Sequence, residues 1–342
     1  MLTEGRPGFC RRTTGLPAAD NAAMHLLVPY AAPLSDAGRQ ALPALQLPHL
    51  SRLLSLLTPT RRDDGDELSL TPPHERALAR AIGLTAGDGH LPWGAHFAAT
   101  DGIDPGEQAW ALLTPGHWHL GAEQVTATDP QALALDEAAS RELLEAAREL
   151  FESEGFKLHY GAPLRWYLAH PSFDGLATAS PDRAIGRNVN DWLRPDPRAR
   201  LLRRLQSELQ MTMYTHPINE RREAAGLLAF NSFWISGCGR FQPAAVPADL
   251  AVDDRLRSPA LAADWAAWAE AWRALDAGPL AEMLAALKSK ATVGSPPLRL
   301  TLCGERSSAE FTDLPRGPLS RLKSALASRF SPPSTVTLLE SL

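Results

Sequence analysis

His216-Pro217-Ile218-Asn219-Glu220-Arg221-Arg222-Glu223-Ala224-Ala225-Gly226 is followed, four residues on, by Asn231-Ser232-Phe233-Trp234-Ile235-Ser236-Gly237-Cys238-Gly239-Arg240. The reading of the fold turns on this stretch. His216-Pro217 ends a helical pattern in which Leu201, Leu202, Leu205, Leu209 and Met213 share one face. Phe233-Trp234-Ile235 then reads as a strand running into a glycine turn. A helix, a polar turn and a buried strand in that order are the grammar of an α/β protein, and such proteins gather their sites at strand ends.

The same alternation extends outward. His25-Leu26-Leu27-Val28-Pro29-Tyr30 reads as a first buried strand. Pro48 opens a helix with Leu50, Leu53, Leu54 and Leu57. A charged loop, 61–67, precedes a helix over 75–82 that stops at Gly83. Gly, Pro and Asp make 85–106 a long loop. Strands are expected around 108–113, 117–120, 156–160, 164–169 and 298–302, and Asp136 caps a helix ending near Gly155. Residues 241–262 read as a loop, and Trp265, Trp268, Trp272 and Leu275 mark one face of a helix.

The chain has 342 residues, 44% of them apolar, enough for one large core or two ordinary ones. Its net charge of −5 argues against bulk nucleic-acid binding, which needs clustered cations. No apolar run reaches the roughly 20 residues of a membrane span, so no membrane partner is expected. Cys10, Cys238 and Cys303 are far apart and form no CxxC, which fits a reducing, cytoplasmic setting. Residues 1–23 read as a disordered extension, with Met24 a candidate start.

Three groups of residues could carry chemistry. Arg222 and Arg240, with His216, Asn219 and Asn231, suit a phosphate or carboxylate, or else tie a polar turn. His117 and His119 share a strand face and could hold a metal, or else sit half-exposed beside Trp118. Asp182, Arg183, Gly186, Arg187 and Asn188 form a second polar turn, for which a solvated loop is the plain alternative. Cys303 follows a strand without a neighbouring histidine.

The block 151–240 resembles the archaeal-type cofactor-independent phosphoglycerate mutases of the alkaline phosphatase superfamily. The residues that carry the likeness are Leu164-Arg165, Ser180-Pro181-Asp182-Arg183 with Gly186-Arg187, His216-Pro217-Ile218-Asn219 with Arg222, then Gly226, Asn231 and Trp234 to Gly239. Trp110 to Trp118 and Leu300 to Arg306 are similar to the bacterial RpfE-type regulatory proteins. The resemblance implies a three-layer, alkaline-phosphatase-like α/β core with a mainly parallel sheet. In that reading residues 24–105 and 241–342 form the core, and 106–240 an inserted α+β substrate-side subdomain. It implies an anion site built from Arg165, Arg187, His216, Asn219, Arg222, Asn231 and Arg240.

The resemblance also implies losses. The family holds a metal with Asp-Gly after the first strand, where this chain has Pro29-Tyr30-Ala31. Its nucleophile motif matches Thr71-Pro72-Pro73-His74-Glu75, with His74 in place of serine. No histidine follows His216, although the family draws metal ligands from its C-terminal part. The expectation is a pseudoenzyme without a cofactor, binding a phosphorylated or carboxylated small molecule. One alternative is an active mutase or phosphatase with a changed Mn or Mg site drawing on His74, Glu75, His117 and His119. The other is a regulator that binds a protein partner through the tryptophans of 265–272.

Overall fold

The computed structural model describes residues 24–289, 297–313 and 335–342. The expected extension 1–23, with Cys10, lies outside the described residues. The strands, in chain order, are β1 (Met24–Val28), β2 (Thr58–Asp63), β3 (Ala109–Gly116), β4 (Trp118–Leu120), β5 (Val125–Ala127), β6 (Lys157–Ala162), β7 (Arg165–Ala169), β8 (Ser232–Arg240), β9 (Leu250–Val252), β10 (Leu298–Cys303) and β11 (Ser308–Thr312). The chain divides into two compact units.

One unit holds 24–68, Pro72–Ile82 and the described residues from 246 onward. Its five-stranded sheet has the order β2-β11-β10-β1-β9. The centre is parallel: β1 pairs with β10 on one side and β9 on the other. The edge β10-β11-β2 is antiparallel. Leu26, Val28, Leu300 and Leu302 in the parallel strands are almost wholly buried, as a sheet covered by helices demands. Helices α1 (Pro48–Leu56), α2 (Pro73–Ile82), α3 (Trp265–Leu275), α4 (Ala281–Ser289) and α5 (Thr335–Glu340) belong to this unit. The expected α/β class holds.

Buried Asp276 joins two of these helices. It accepts from the amides of His49 and Leu50 at 3.2 and 2.8 Å and pairs with His49 Nδ1 at 2.9 Å. The residue before α1 is Leu47, which has no capping side chain. A carboxylate from 227 residues away therefore satisfies the helix N-terminus. Trp268 and Trp272 are fully buried in the core of this unit. The reading of that face as a protein-binding surface is thereby corrected: two of its three rings are packing, as periodicity alone allows.

The other unit holds Ser69–Thr71 and Gly83–Ala245. Its four-stranded sheet, β6-β7-β3-β8, is antiparallel throughout. β3 lies between β7 and β8, and every one of its eight residues is buried. Helix Glu137–Glu152 starts where Asp136 accepts from the Ala139 amide at 2.8 Å, and it buries Leu143, Leu144, Ala147 and Phe151. Helix Ala199–Tyr214 buries Leu202, Leu205, Leu209 and Met213 in the same core. Each large apolar side chain removed from water contributes about 1.5–3 kcal/mol.

Three stretches read as loops are partly regular: residues 61–63 of the charged loop 61–67 belong to β2, paired with β11. Helix Trp93–Thr100 sits inside 85–106, and β9 with a short helix, Arg257–Leu261, sits inside 241–262. β8 also runs on through Gly237 and Gly239 to Arg240, where a turn was expected. Among the described residues no helix is long and apolar enough to cross a membrane.

Candidate functional site

In the unit with the parallel strands, β1 and β10 end side by side. The Ala31 amide donates to the Cys303 carbonyl at 2.7 Å, and the Glu305 amide to the Ala32 carbonyl at 3.2 Å. Glu305 Oε1 accepts from the Leu34 amide at 3.0 Å. α2 packs against both strands and begins at this end, with His74 and Glu75 buried in its first turn. The His74 and Tyr30 rings lie 5.3 Å apart, tilted by 38°. The carboxyl ends of parallel strands thus meet a helix N-terminus, the usual place for a ligand in this class of protein.

Tyr30 sits at φ 57°, a left-handed conformation that a bulky residue rarely adopts and that costs about 1–3 kcal/mol. It is held there from both sides: its carbonyl accepts from Trp268 Nε1 at 3.0 Å, and the next amide is bound to Cys303. The resemblance puts a metal-holding Asp-Gly here, and glycine would take such a φ freely. The backbone geometry suits the family's glycine, while the side chain is a buried ring.

The chemistry available at this end is limited. Cys303 is wholly buried, and burial pushes its thiol well above the ordinary range, so it is not a ready nucleophile. Asp63 lies between two cations of α2: Arg76 at 3.2 Å and Arg80, closer still. Burial would raise the Asp63 pKa, but these guanidiniums outweigh it and hold the carboxyl below its usual range. Hard divalent ions require several converging oxygen donors, and among the described residues no three His, Cys, Asp or Glu side chains converge to hold one. A phenol, an imidazole, a thiol and the separate carboxylates of Glu75 and Glu305 stand around the strand ends instead. The residues present do not fit the two-metal centre that the resemblance implies.

The remaining expected site residues belong to the other unit. Asn219 is buried, donating to the carbonyls of Met213 and Phe230 and accepting from the Phe230 amide, each at 2.8 Å. Arg222 is buried as well, donating to the carbonyls of Leu228, at 2.8 Å, and Leu133. Burial lowers its pKa. His216 caps its helix, Nδ1 accepting from the Ile218 amide at 3.3 Å. Asn231 joins β4 to β8, accepting from the Trp118 amide at 2.7 Å and donating to the Trp118 carbonyl at 3.0 Å. Arg165 forks onto Asp101 at 2.8–3.1 Å and meets the Tyr167 hydroxyl at 2.8 Å. Arg240 pairs with Asp174 at 2.7 Å on the surface. Arg187 is half-buried, its guanidinium 5.7 Å from the centre of the Trp192 ring, which Arg183 approaches as well.

These seven residues hold different partners. The structure brings together Asn219 with Phe230 and Arg222 with the turn after its helix, both as ties of the backbone. His117 precedes β4, its Nδ1–H donating to the Ala229 carbonyl at 2.8 Å, and His119 is exposed on β4. Tyr30 was missed as a close partner of His74, since 44 residues separate them in sequence.

The fold and this strand end define an α/β protein in which Tyr30, His74, Glu75 and Cys303 are buried where such proteins customarily bind ligands. No protein-family model matches the chain, and no curated protein does. Among solved structures it is similar to a cofactor-independent phosphoglycerate mutase from Thermoplasma acidophilum DSM 1728. The identity is 14% and the TM-score 0.35, over 85% of this chain and 89% of that one. It is also similar to the PH0037 protein from Pyrococcus horikoshii, at 12% identity and a TM-score of 0.43, over 85% and 86% of the two chains.

Proposed function

We propose that the chain is a phosphoglycerate mutase-like protein that has lost metal-dependent phosphoryl transfer and acts as a regulatory, anionic-metabolite-binding pseudoenzyme. One observation carries this: Tyr30 and His74 face each other where the family resemblance calls for a metal ligand and a nucleophile. The absence of any histidine after His216 supports the same reading from sequence. Metal ions supply several kcal/mol of charge stabilisation in phosphoryl transfer, and these side chains do not replace it. The finer likeness, to RpfE-type regulatory proteins, belongs to this proposal, as does a cytoplasmic location.

The ligand we propose is a phosphorylated or carboxylated small molecule. Asn219, Arg222 and Asn231 are committed to backbone groups, so the contact with the anion falls to the more accessible arginines, Arg165, Arg187 and Arg240. Calorimetry against 3-phosphoglycerate tests it. Arg187→Ala weakens binding at least fivefold in this account, while heats that match dilution for the unaltered protein would sink it.

A further inference from the structure

Helix Ala199–Tyr214 turns Leu202, Leu205, Leu209 and Met213 into its core. Its other side carries Arg204, Ser207, Met211 and Tyr214, all exposed. Met211 is 78% exposed and Tyr214 87%, the two highest values among the described large apolar side chains. One such side chain at a surface is ordinary. Here two lie three residues apart on one helix, in a stripe spaced by three, four and three residues, as in a coiled-coil seam. Arg, Tyr and Met are also residue types enriched at interfaces. The stripe is complementary to itself. Laid antiparallel on a copy, with Ser207 level with the copy's Met211, it sets a small residue against a large one and Arg204 against the copy's Tyr214. A twofold axis repeats both pairs, as an isologous interface requires.

The side chains are prepared for this contact. Arg204 meets Glu154 and, at 3.3 Å, Glu208 on its own chain, yet its side chain stays 51% exposed. A guanidinium held through its N–H edges keeps a flat face for an aromatic ring. The Ser207 hydroxyl donates to the Arg203 carbonyl at 3.2 Å, so covering it strands no donor. A parallel pairing would instead set Arg200 and Arg204 against their own copies and align the two helix dipoles. We infer that the chain pairs with a second copy of itself through this helix face, antiparallel about a twofold axis, with Arg204 on the copy's Tyr214 and Met211 on its Ser207. One helix per chain falls below about 1,200 Å² of interface, so the pairing is weak and depends on concentration.

Sedimentation equilibrium of the full chain from about 5 to 500 µM is expected to show monomer and dimer in exchange. Tyr214→Ala and Arg204→Ala are each expected to weaken the dimer roughly tenfold, because each removes both copies of one contact. The double variant is expected to weaken it little further, since both changes act on the same pair. Leu120→Ala, at another exposed apolar side chain, is expected to leave it unchanged. The exposure of Tyr214 and Arg204 keeps these variants folded. A monomer throughout that range, a dimer of undiminished strength in Tyr214→Ala, an equal loss in Leu120→Ala, or single losses that multiply in the double variant each overturns the inference.

Discussion

Asn219 uses both ends of its amide on backbone: its NH2 donates to two carbonyls and its oxygen accepts from the Phe230 amide. Removing it leaves three buried polar groups without that partner. Asn219→Ala is therefore expected to cost about 2–4 kcal/mol, read as a shift in the urea midpoint. A loss below about 0.5 kcal/mol would show that these bonds are replaced by water. Arg222 faces the same test, its acceptors being Leu228 and Leu133. The donors that suit an anion also suit carbonyl oxygens, and sequence cannot tell the two apart. The Leu133 acceptor lies 89 residues away from Arg222, so the tie was not legible locally.

Between elements, glycine positions and a buried histidine carry the testable content. Helix Trp93–Thr100 lies against β3 at Gly94, where an added Cβ would meet the Ala111 backbone at 2.6–2.8 Å. Gly94→Ala is expected to destabilise by about 1–3 kcal/mol, since neither backbone can yield cheaply. Gly278 lies in the π-helical turn Asp276–Leu280 with open space around it. Gly278→Ala is expected to be neutral or to stabilise by about 0.4–1 kcal/mol through the unfolded chain. Thermal melts of the two variants separate these outcomes, and an equal loss in both would contradict the packing described. His25 on β1 bonds Thr301 on β10 at 2.8 Å, and burial pushes its pKa below the usual 6.5. The unfolded chain binds a proton below about pH 6.5 where the folded site resists it, so stability falls as pH drops from there and is flat above. The urea midpoint is expected to fall between pH 7.5 and 5.5, and to fall less in His25→Gln. An identical pH dependence in the variant would remove His25 as a cause. Strongly periodic elements such as 137–152 and 199–214 were legible in sequence, because the apolar spacing is itself the packing face. Trp93–Thr100 was not, because flanking Gly, Pro and Asp masked eight helical residues whose face is set by tertiary contact at Gly94.

Across the whole molecule, the α/β class followed from the alternation of helices and strands. The grouping at the end of β1 and β10 did not, because Tyr30, His74, Cys303 and Glu305 are brought there only by the parallel pairing of β1 and β10 and the packing of α2. Tyr30 is the one residue of that group in the left-handed region. The central proposal is that this end does not support metal-assisted phosphoryl transfer. The most direct test is a coupled assay converting 3-phosphoglycerate to 2-phosphoglycerate with added Mn²⁺ or Mg²⁺, run beside metal analysis of the same purified protein. The account predicts no turnover above the protein-free blank and no stoichiometric metal. Turnover that depends on one or two tightly bound manganese ions per chain would contradict it.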